Sequence, residues 1–308
     1  MTDVASSELN PQIGVVVVNW NGADDAIACL DSLRLANPRA ARVVLVDNAS
    51  ADDSVTRITN WARQTEFPVE MLAASSNLGF AGGNNLGLSR LQVDASVTHF
   101  LLLNNDATVA KDFFGEMIRA LAAEPNAGLL TGTIYENPQR EKIWYAGGRE
   151  IRSRALIEHF HAPPSGPQPV PTEFVSGCVM LISRRTLNEI GFLADCYFPL
   201  YMEDAEYSLR TREAGLPVLY APRARAFHKI GATVGMATAS PFITQAQVRH
   251  RVLYVRRNFR GLERAIALGY LAITKPGKAL AETLAGRPKM GMAVLKGAFE
   301  GFVSKVTP

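Results

Sequence analysis

The chain has little cysteine. Cys29, Cys178 and Cys196 are scattered through 308 residues, odd in number and without a Cys-x-x-Cys pair. That excludes a disulfide framework and fits a reducing compartment. Long apolar runs are also missing: the longest late one, Ala265 to Thr274, falls far short of the roughly 20 residues needed to span a bilayer. The sequence therefore reads as soluble or peripheral. Residues 1–12 are polar, carry Asp3 and Glu8 and lack a basic segment followed by an apolar one, so they do not read as a signal peptide. There is no internal repeat. No Gly-Lys-Ser/Thr follows the glycine-rich stretch and no dinucleotide fingerprint follows the first apolar run, which excludes a Walker P-loop and a Rossmann dinucleotide motif.

What is present is apolar mass and an uneven charge. A hydrophobic content of 47% over 308 residues can bury a large core, long for one domain and short for two. The net charge is only +3, but residues 249–308 carry 12 of the 32 Lys+Arg and 3 of the 29 Asp+Glu. That tail is +9 and leaves −6 on residues 1–248. A basic tail on an acidic body suggests an anionic partner such as a phospholipid surface or a nucleic acid, or simply a solvated helical face.

Taken in order, Ile13-Gly14-Val15-Val16-Val17-Val18 reads as a buried strand ending in the Asn19-Trp20-Asn21-Gly22 turn. Asp24 or Asp25 can cap the next helix, with Ile27, Leu30 and Leu33 at helical spacing. Val43 to Val46 is a second strand ending on Asp47-Asn48-Ala49-Ser50, and Asp52, Asp53 and Ser54 can cap a second helix. Val69 to Leu72 is a third strand. The stretch Asn77 to Asn85 reads as a glycine-rich loop feeding a helix. His99-Phe100-Leu101-Leu102-Leu103 is a buried strand that stops on Asn104-Asn105-Asp106. A helix over 111–123 and a strand over 127–135 follow. This alternation predicts a parallel, doubly wound sheet. The cadence breaks over 136–172, where 163–171 is a proline-rich loop. A strong strand over 174–182, short helices over 184–190 and 203–214, and sheet elements before His228 come next. From Pro241 onward the pattern is helical and basic.

Functional groups in α/β sheets gather where apolar strands end. Three strand ends here carry Asn19, Asp47 and Asn104/Asp106. A carboxylate there can accept from a ribose hydroxyl, and a glycine-rich helix start can present N–H groups to phosphate. Together they read as a nucleotide site, although Asp47-Asn48 alone is also ordinary turn chemistry. Asp106 can hold a hard cation. In Glu203-Asp204-Ala205-Glu206, three carboxylates open a helix. They are either a dipole-stabilised first turn or the seat of a general base. His228, on its own more often structural, gains a role if it meets Asp106 on one cation.

Val18-Asn19-Trp20-Asn21-Gly22, Val46 to Ser50, Asn77 to Asn85, Asn104-Asn105-Asp106, Ser176-Gly177-Cys178 and Tyr201-Met202-Glu203-Asp204 occur in this order. Over about residues 13–260 the chain thereby resembles the family 2 inverting glycosyltransferases of the GT-A fold, specifically their rhamnosyltransferase-like bacterial branch. The resemblance implies a Rossmann-like, mostly parallel central sheet flanked by helices, with a C-terminal helical extension. It divides the chain into a polar tail (1–12), a nucleotide-sugar-binding half (13–135), an acceptor and catalytic half (136–240) and a basic helical region (241–308).

It also implies roles. Asn19, Asn21 and Asp47 would hold the base and ribose, and Asn77, Gly79, Gly82 and Asn84 would line the nucleotide and diphosphate, with Asn104, Asn105 and Gly177 also donor-binding. Asn104-Asn105-Asp106 takes the place of the family's Asp-x-Asp with Asn for the first Asp, which leaves Asp106 as the main ligand of Mg²⁺ or Mn²⁺ and His228 to complete the site. Asp204 matches the catalytic base, with Glu203 beside it. Arg249, Arg251 and Arg257 lie where such enzymes keep basic residues near diphosphate or acceptor. The expected activity is inverting transfer of a sugar, best dTDP-rhamnose, to a hydroxyl of a glycan or lipid-linked glycan in cell-surface polysaccharide synthesis. UDP-hexose and UDP-galactofuranose are alternative donors, and a non-catalytic nucleotide- or glycan-binding protein is the alternative of another class. The expected location is cytoplasmic, peripheral on an anionic membrane face, with no nucleic-acid partner. Closure of the 163–171 loop or of the 231–242 segment would exclude water.

Overall fold

The computed structural model describes residues 11–229 and 240–305. The polar tail thus lies almost entirely outside the described residues, as does most of the 231–242 segment proposed as a closing element.

The apolar runs become strands. β1 (Ile13–Asn19), β2 (Arg42–Asp47) and β3 (Glu70–Ala73) alternate with α1 (Ala23–Leu35), α2 (Ser54–Thr65) and α3 (Gly79–Gln92), and lead into β4 (His99–Asn104). The cap residues differ from expectation. Gly22 precedes α1, which leaves Asp24 and Asp25 in its first turn. Asp53 precedes α2 without a side-chain cap bond, and Asp52 instead accepts from the Ser54 N–H at 3.1 Å. β5 (Ala107–Val109), α4 (Phe113–Ala123) and β6 (Leu129–Glu136) follow. Next come β7 (Ile143–Tyr145), the hairpin β8 (Gly148–Ile151) and β9 (Leu156–His159), and the short β10 (Val170–Pro171). The strand expected over 174–182 is shorter, β11 (Val179–Ser183). Residues 174–178 are irregular and lie against the site. After α5 (Arg184–Ile190) and α6 (Glu203–Glu213), one strand, β12 (Val218–His228), replaces the two expected, with a bulge between Ala221 and Arg225.

The strands order as β10-β12-β6-β11-β4-β1-β2-β3. The half from β4 through β1 and β2 to β3 is parallel, as predicted. Beyond it the sheet is mixed, because β11 runs antiparallel to both β4 and β6. Strand alternation sends Val15, Val17, Leu101 and Leu103 to one core, under α1 and α4, and Val16, Phe100 and Leu102 to the other, under α3. β1 and β4 therefore end side by side, with Val18 opposite Asn104.

The largest departure from the sequence reading concerns the glycine-rich stretch. It is not a loop: α3 begins at Gly79, so Gly82, Gly83, Asn84 and Asn85 are helical. These glycines let the helix lie close on β1. A Cβ at Gly83 would sit 2.8 Å from Val18, and one at Gly87 would run into Val16. Alanine normally stabilises a helix interior by about 1 kcal/mol over glycine, but here overpacking wins. Gly87→Ala is expected to destabilise by about 1–3 kcal/mol, a fall in Tm on the order of 5 °C. A Tm equal to or above that of the parent would contradict this packing.

The basic C-terminal region forms α7 (Pro241–Asn258), α8 (Gly261–Leu284) and α9 (Pro288–Val303). It is anchored to the body by polar contacts. Arg251 donates to the Ala155 and Arg154 carbonyls at 2.6 and 2.8 Å. Tyr254 Oη donates to buried Glu150 at 2.5 Å, and Arg152 pairs with Glu263. No helix among the described residues is long and apolar enough to cross a membrane.

Candidate active site

The ends of β1, β2 and β4 are joined by buried amides. Asn105 Nδ2 donates to Asn19 Oδ1 at 3.0 Å, and Asn19 Nδ2 lies 3.4 Å from both Asp47 Oδ1 and Ser50 Oγ. Asp47 Oδ2 accepts from the Ser50 N–H, and Asn21 bridges the same two turns through Ser50 Oγ and the Ala51 N–H. Asn19 is fully buried, and neither it nor Asp47 or Asn21 lines the cleft. These hydrogen bonds fasten the strand ends that carry residues lining the cleft. Gly82 is likewise off the cleft, against Leu78 of its own helix.

The cleft, about 950 Å³, opens at the carboxyl ends of β1 and β4. One wall holds Asn48, Asn77, Gly79, Asn84, Asn104 and Asn105. Asn48 is the hub. It donates to Asn77 Oδ1 and to the Gly79 carbonyl, both at 3.1 Å, and accepts from the Leu78 N–H at 2.9 Å. The turn at Gly79 has φ +70°, and a Cβ there would meet the Pro199 carbonyl. Glycine is therefore needed for conformation and for space.

Asp106 and His228 line the cleft together. β12 pairs with β5, which sets His228 opposite Ala107. That register brings His228 Nε2 to 3.1 Å from Asp106 Oδ1. Burial disfavours the imidazolium, but Cys178 and Asp106 beside it outweigh burial and raise the His228 pKa well above its usual value.

Glu203 and Asp204 open α6. Tyr201 and Met202 before them both have positive φ, 80° and 82°, a conformation costing about 1–3 kcal/mol per residue. Their segment is pinned from outside: the Phe80 N–H donates to the Pro199 carbonyl at 2.8 Å, Arg249 donates to the Phe198 carbonyl, and His250 contacts the Leu200 carbonyl. Arg249 thus supports the wall by its backbone contact. Arg249, Arg251 and Arg257 do not line the cleft. Asp204 Oδ2 accepts from the Gly177 N–H at 3.1 Å, and Oδ1 from the Ala205 N–H at 2.8 Å. A Cβ at Gly177 would strike Phe80, so glycine permits this approach. Burial raises the Asp204 pKa above the ordinary aspartate range, against these two N–H groups.

Glu203 is 4% exposed, and its Oε2 has no hydrogen-bond partner among the described residues. Burial, then the charge of Asp204, push its pKa well up. The third carboxylate, Glu206, turns away to Arg210 at 2.8 Å. A buried acid with a raised pKa binds its proton in the native state at pH values where the unfolded chain, with a pKa of about 4.3, has lost it. Stability from this group therefore falls as pH rises above about 4.3. Glu203→Gln is expected to raise Tm by a margin that grows with pH from about 5 to 8, at about 2–4 °C per kcal/mol. A margin that shrinks with pH would contradict a neutral, buried Glu203.

The opposite wall was not legible in the sequence. Trp144, Ile157, His159 and Phe174 line it, with Phe242 and Ile243 from the first turn of α7. Trp144 sits 4.9 Å from His159 and 5.0 Å from His228 between ring centroids. These residues come from separate elements, so no local pattern announces them. Asn48, in contrast, lies in a stretch that sequence reasoning had singled out for Asp47.

Comparison with known proteins agrees with this architecture. Residues 14–191 match the family model of glycosyl transferase family 2. The chain is 25% identical over 261 residues to an N-acetylglucosaminyl-diphospho-decaprenol L-rhamnosyltransferase of Mycobacterium tuberculosis, covering 78% of this chain and 80% of that one. It is 22% identical over 214 residues to the low-salt glycan biosynthesis hexosyltransferase Agl10 of Haloferax volcanii, covering 67% of this chain and 63% of the relative. Among solved structures, GalNAc-T7 with UDP, GalNAc and Mn²⁺ matches at TM-score 0.64 and 16% identity, over 81% of this chain and 48% of that one. The mannosyltransferase PcManGT of Pyrobaculum calidifontis with GDP-Man and Mn²⁺ matches at 0.60 and 16%, over 96% and 88%. These likenesses show a GT-A fold, and the match over more than half its length shows that the chain belongs to glycosyl transferase family 2.

Proposed function

We propose that the chain transfers a sugar from a nucleoside diphosphate donor to a hydroxyl of a glycan or lipid-linked glycan, with inversion. The observation that carries this reading is a carboxylate, Asp204, aimed into the same cleft as the Asp106–His228 pair and the amide-lined turn at Gly79. In the reaction the C1–O bond to the diphosphate breaks and its electron pair goes to the diphosphate oxygen. The acceptor oxygen bonds C1 from the opposite face, and Asp204 takes the acceptor proton. Its raised pKa makes it a better base than an exposed aspartate while the two N–H groups hold its orientation. One displacement inverts the anomeric centre. The apolar ring faces of Trp144 and Phe174 exclude water from this step.

Asp106 and His228 fit a divalent cation. A carboxylate oxygen and an imidazole nitrogen 3.1 Å apart form an ion pair that a cation would replace. Among the described residues there is no larger His/Cys/Asp/Glu cluster, and a small protein share suits a cation shared with a diphosphate. Mg²⁺ or Mn²⁺ held there would stabilise charge on the leaving diphosphate.

The proposed donor is dTDP-rhamnose, supported by the name of the mycobacterial relative. The proposed setting is bacterial cell-surface polysaccharide synthesis on the inner face of the membrane. The test is nucleoside diphosphate release over a panel of dTDP-rhamnose, UDP-galactofuranose and UDP-hexoses. The expected result is a preference for dTDP-rhamnose of at least about tenfold in kcat/KM, the scale of a few well-placed contacts. Faster turnover of a UDP-sugar would replace the donor, and no release from any donor would favour a binding protein.

A further inference from the structure

The cleft uses α7, but α8 and α9 contribute nothing to it, and both leave an apolar face uncovered. On α8, Leu262, Ile266, Ile273, Leu280 and Leu284 are exposed, between 49% and 79%. At 3.6 residues per turn they fall within an arc of about 40° along the whole helix. On α9, Met292, Leu295, Phe299 and Val303 are exposed, between 45% and 67%. They too share one face, with exposed Lys289 and Lys296 on its flank. The opposite face of α9 is small and closely packed: a Cβ at Gly291 would meet the Ala279 carbonyl, and one at Gly301 would meet Val252. Side-chain size is thus divided, with small residues inward and large apolar ones outward. That is the reverse of a helix whose outer face is solvated. Leu268 and Leu271 lie off this face: Leu271 is buried and Leu268 is half-buried.

Charge identifies what covers this face. The three carboxylates of α8 and α9 are each held by another residue, Glu263 by Arg152, Glu282 by Arg287 and Glu300 by Gln245, whereas Lys278, Lys289 and Lys296 are exposed. The region from 249 to 308 is +9 against −6 elsewhere. A second copy docking face to face would oppose like charges. An anionic bilayer surface satisfies both features, taking the apolar side chains at its interface and the lysines at its headgroups.

We propose that the outer face of α8 and α9 docks on an anionic phospholipid bilayer. Docking there also bears on the cleft. A Cβ at Gly297 of α9 would press on the backbone of Gln245, two residues from the lining residue Ile243. The bilayer-facing helix therefore packs directly behind the start of α7, where Phe242 is 63% exposed at the cleft. This link to a lipid-linked acceptor rests on the proposed function, while the docking itself does not.

The test is co-flotation of the full chain with vesicles of roughly three parts phosphatidylcholine to one part phosphatidylglycerol, and with pure phosphatidylcholine. Binding is expected to the anionic vesicles, to weaken in salt of about 0.5 M, and to fall at least about tenfold in Ile273→Glu/Phe299→Glu and in Lys289→Glu/Lys296→Glu. Donor-dependent nucleotide release in solution should be unchanged in both variants. A loss of that release in the parent would count against the glycosyltransferase reading and leave docking standing. Absence of flotation, equal flotation by the variants, or a dimer in solution that Ile273→Glu/Phe299→Glu dissolves would overturn the docking surface.

Discussion

Asp204→Asn is expected to lower sugar transfer by about 10²–10⁴-fold, the usual worth of a positioned general base, while nucleoside diphosphate binding stays within about twofold. The amide keeps the size of the carboxylate and can still accept from the Gly177 N–H, which Asp204 holds at 3.1 Å. It cannot take a proton. The fold should therefore persist and the loss should lie in kcat, measured beside calorimetric binding of the diphosphate. The pH profile supplies a second sign. Because burial raises the Asp204 pKa, parent activity should fall on acidification at a pH above the ordinary aspartate value of about 3.9. Asp204→Asn should lose that limb. Near-normal transfer by this variant would remove Asp204 from the chemistry.

Asp106→Ala is expected to weaken binding of a nucleoside diphosphate in the presence of Mn²⁺ by about 10–100-fold and transfer by about 10²–10³-fold. The variant leaves His228 without its partner at 3.1 Å. Its effect on diphosphate binding should vanish when the cation is withheld, which separates cation holding from a general loss of structure. There is a pH consequence here as well. The imidazole is protonated more readily than usual beside Asp106 and Cys178, and a cation must displace that proton. Apparent Mn²⁺ affinity should therefore rise with pH. Equal diphosphate binding by the parent with and without Mn²⁺ would contradict a metal role for Asp106 and leave the fold and the base untouched.

The parallel half of the fold was readable because its strands are continuous apolar runs with nothing else to be. β1 and β4 came out within a residue of their predicted ends. The ends of those runs also named Asn104, Asn105 and Asp106. What composition could not tell was whether the glycines of 79–87 make a loop or a close helix. That depends on Val16 and Val18 across the interface, which local propensity does not contain. The same limit hid the division of labour among the strand-end polar groups. Asn19, Asp47 and Asn48 look alike in sequence, yet Asn19 and Asp47 are internal fasteners and Asn48 faces the cleft. The aromatic wall was hidden because Trp144, His159 and Phe174 meet only through the β8–β9 hairpin and the irregular segment before β11.

The account turns on a single displacement with Asp204 on the acceptor side and the Asp106–His228 pair on the diphosphate side. The most direct measurement is the anomeric configuration of the product, read by NMR from a donor of known configuration. One displacement predicts inversion: an α product from β-linked dTDP-rhamnose, or a β product from an α-linked UDP-sugar. A product that keeps the donor's configuration would contradict it.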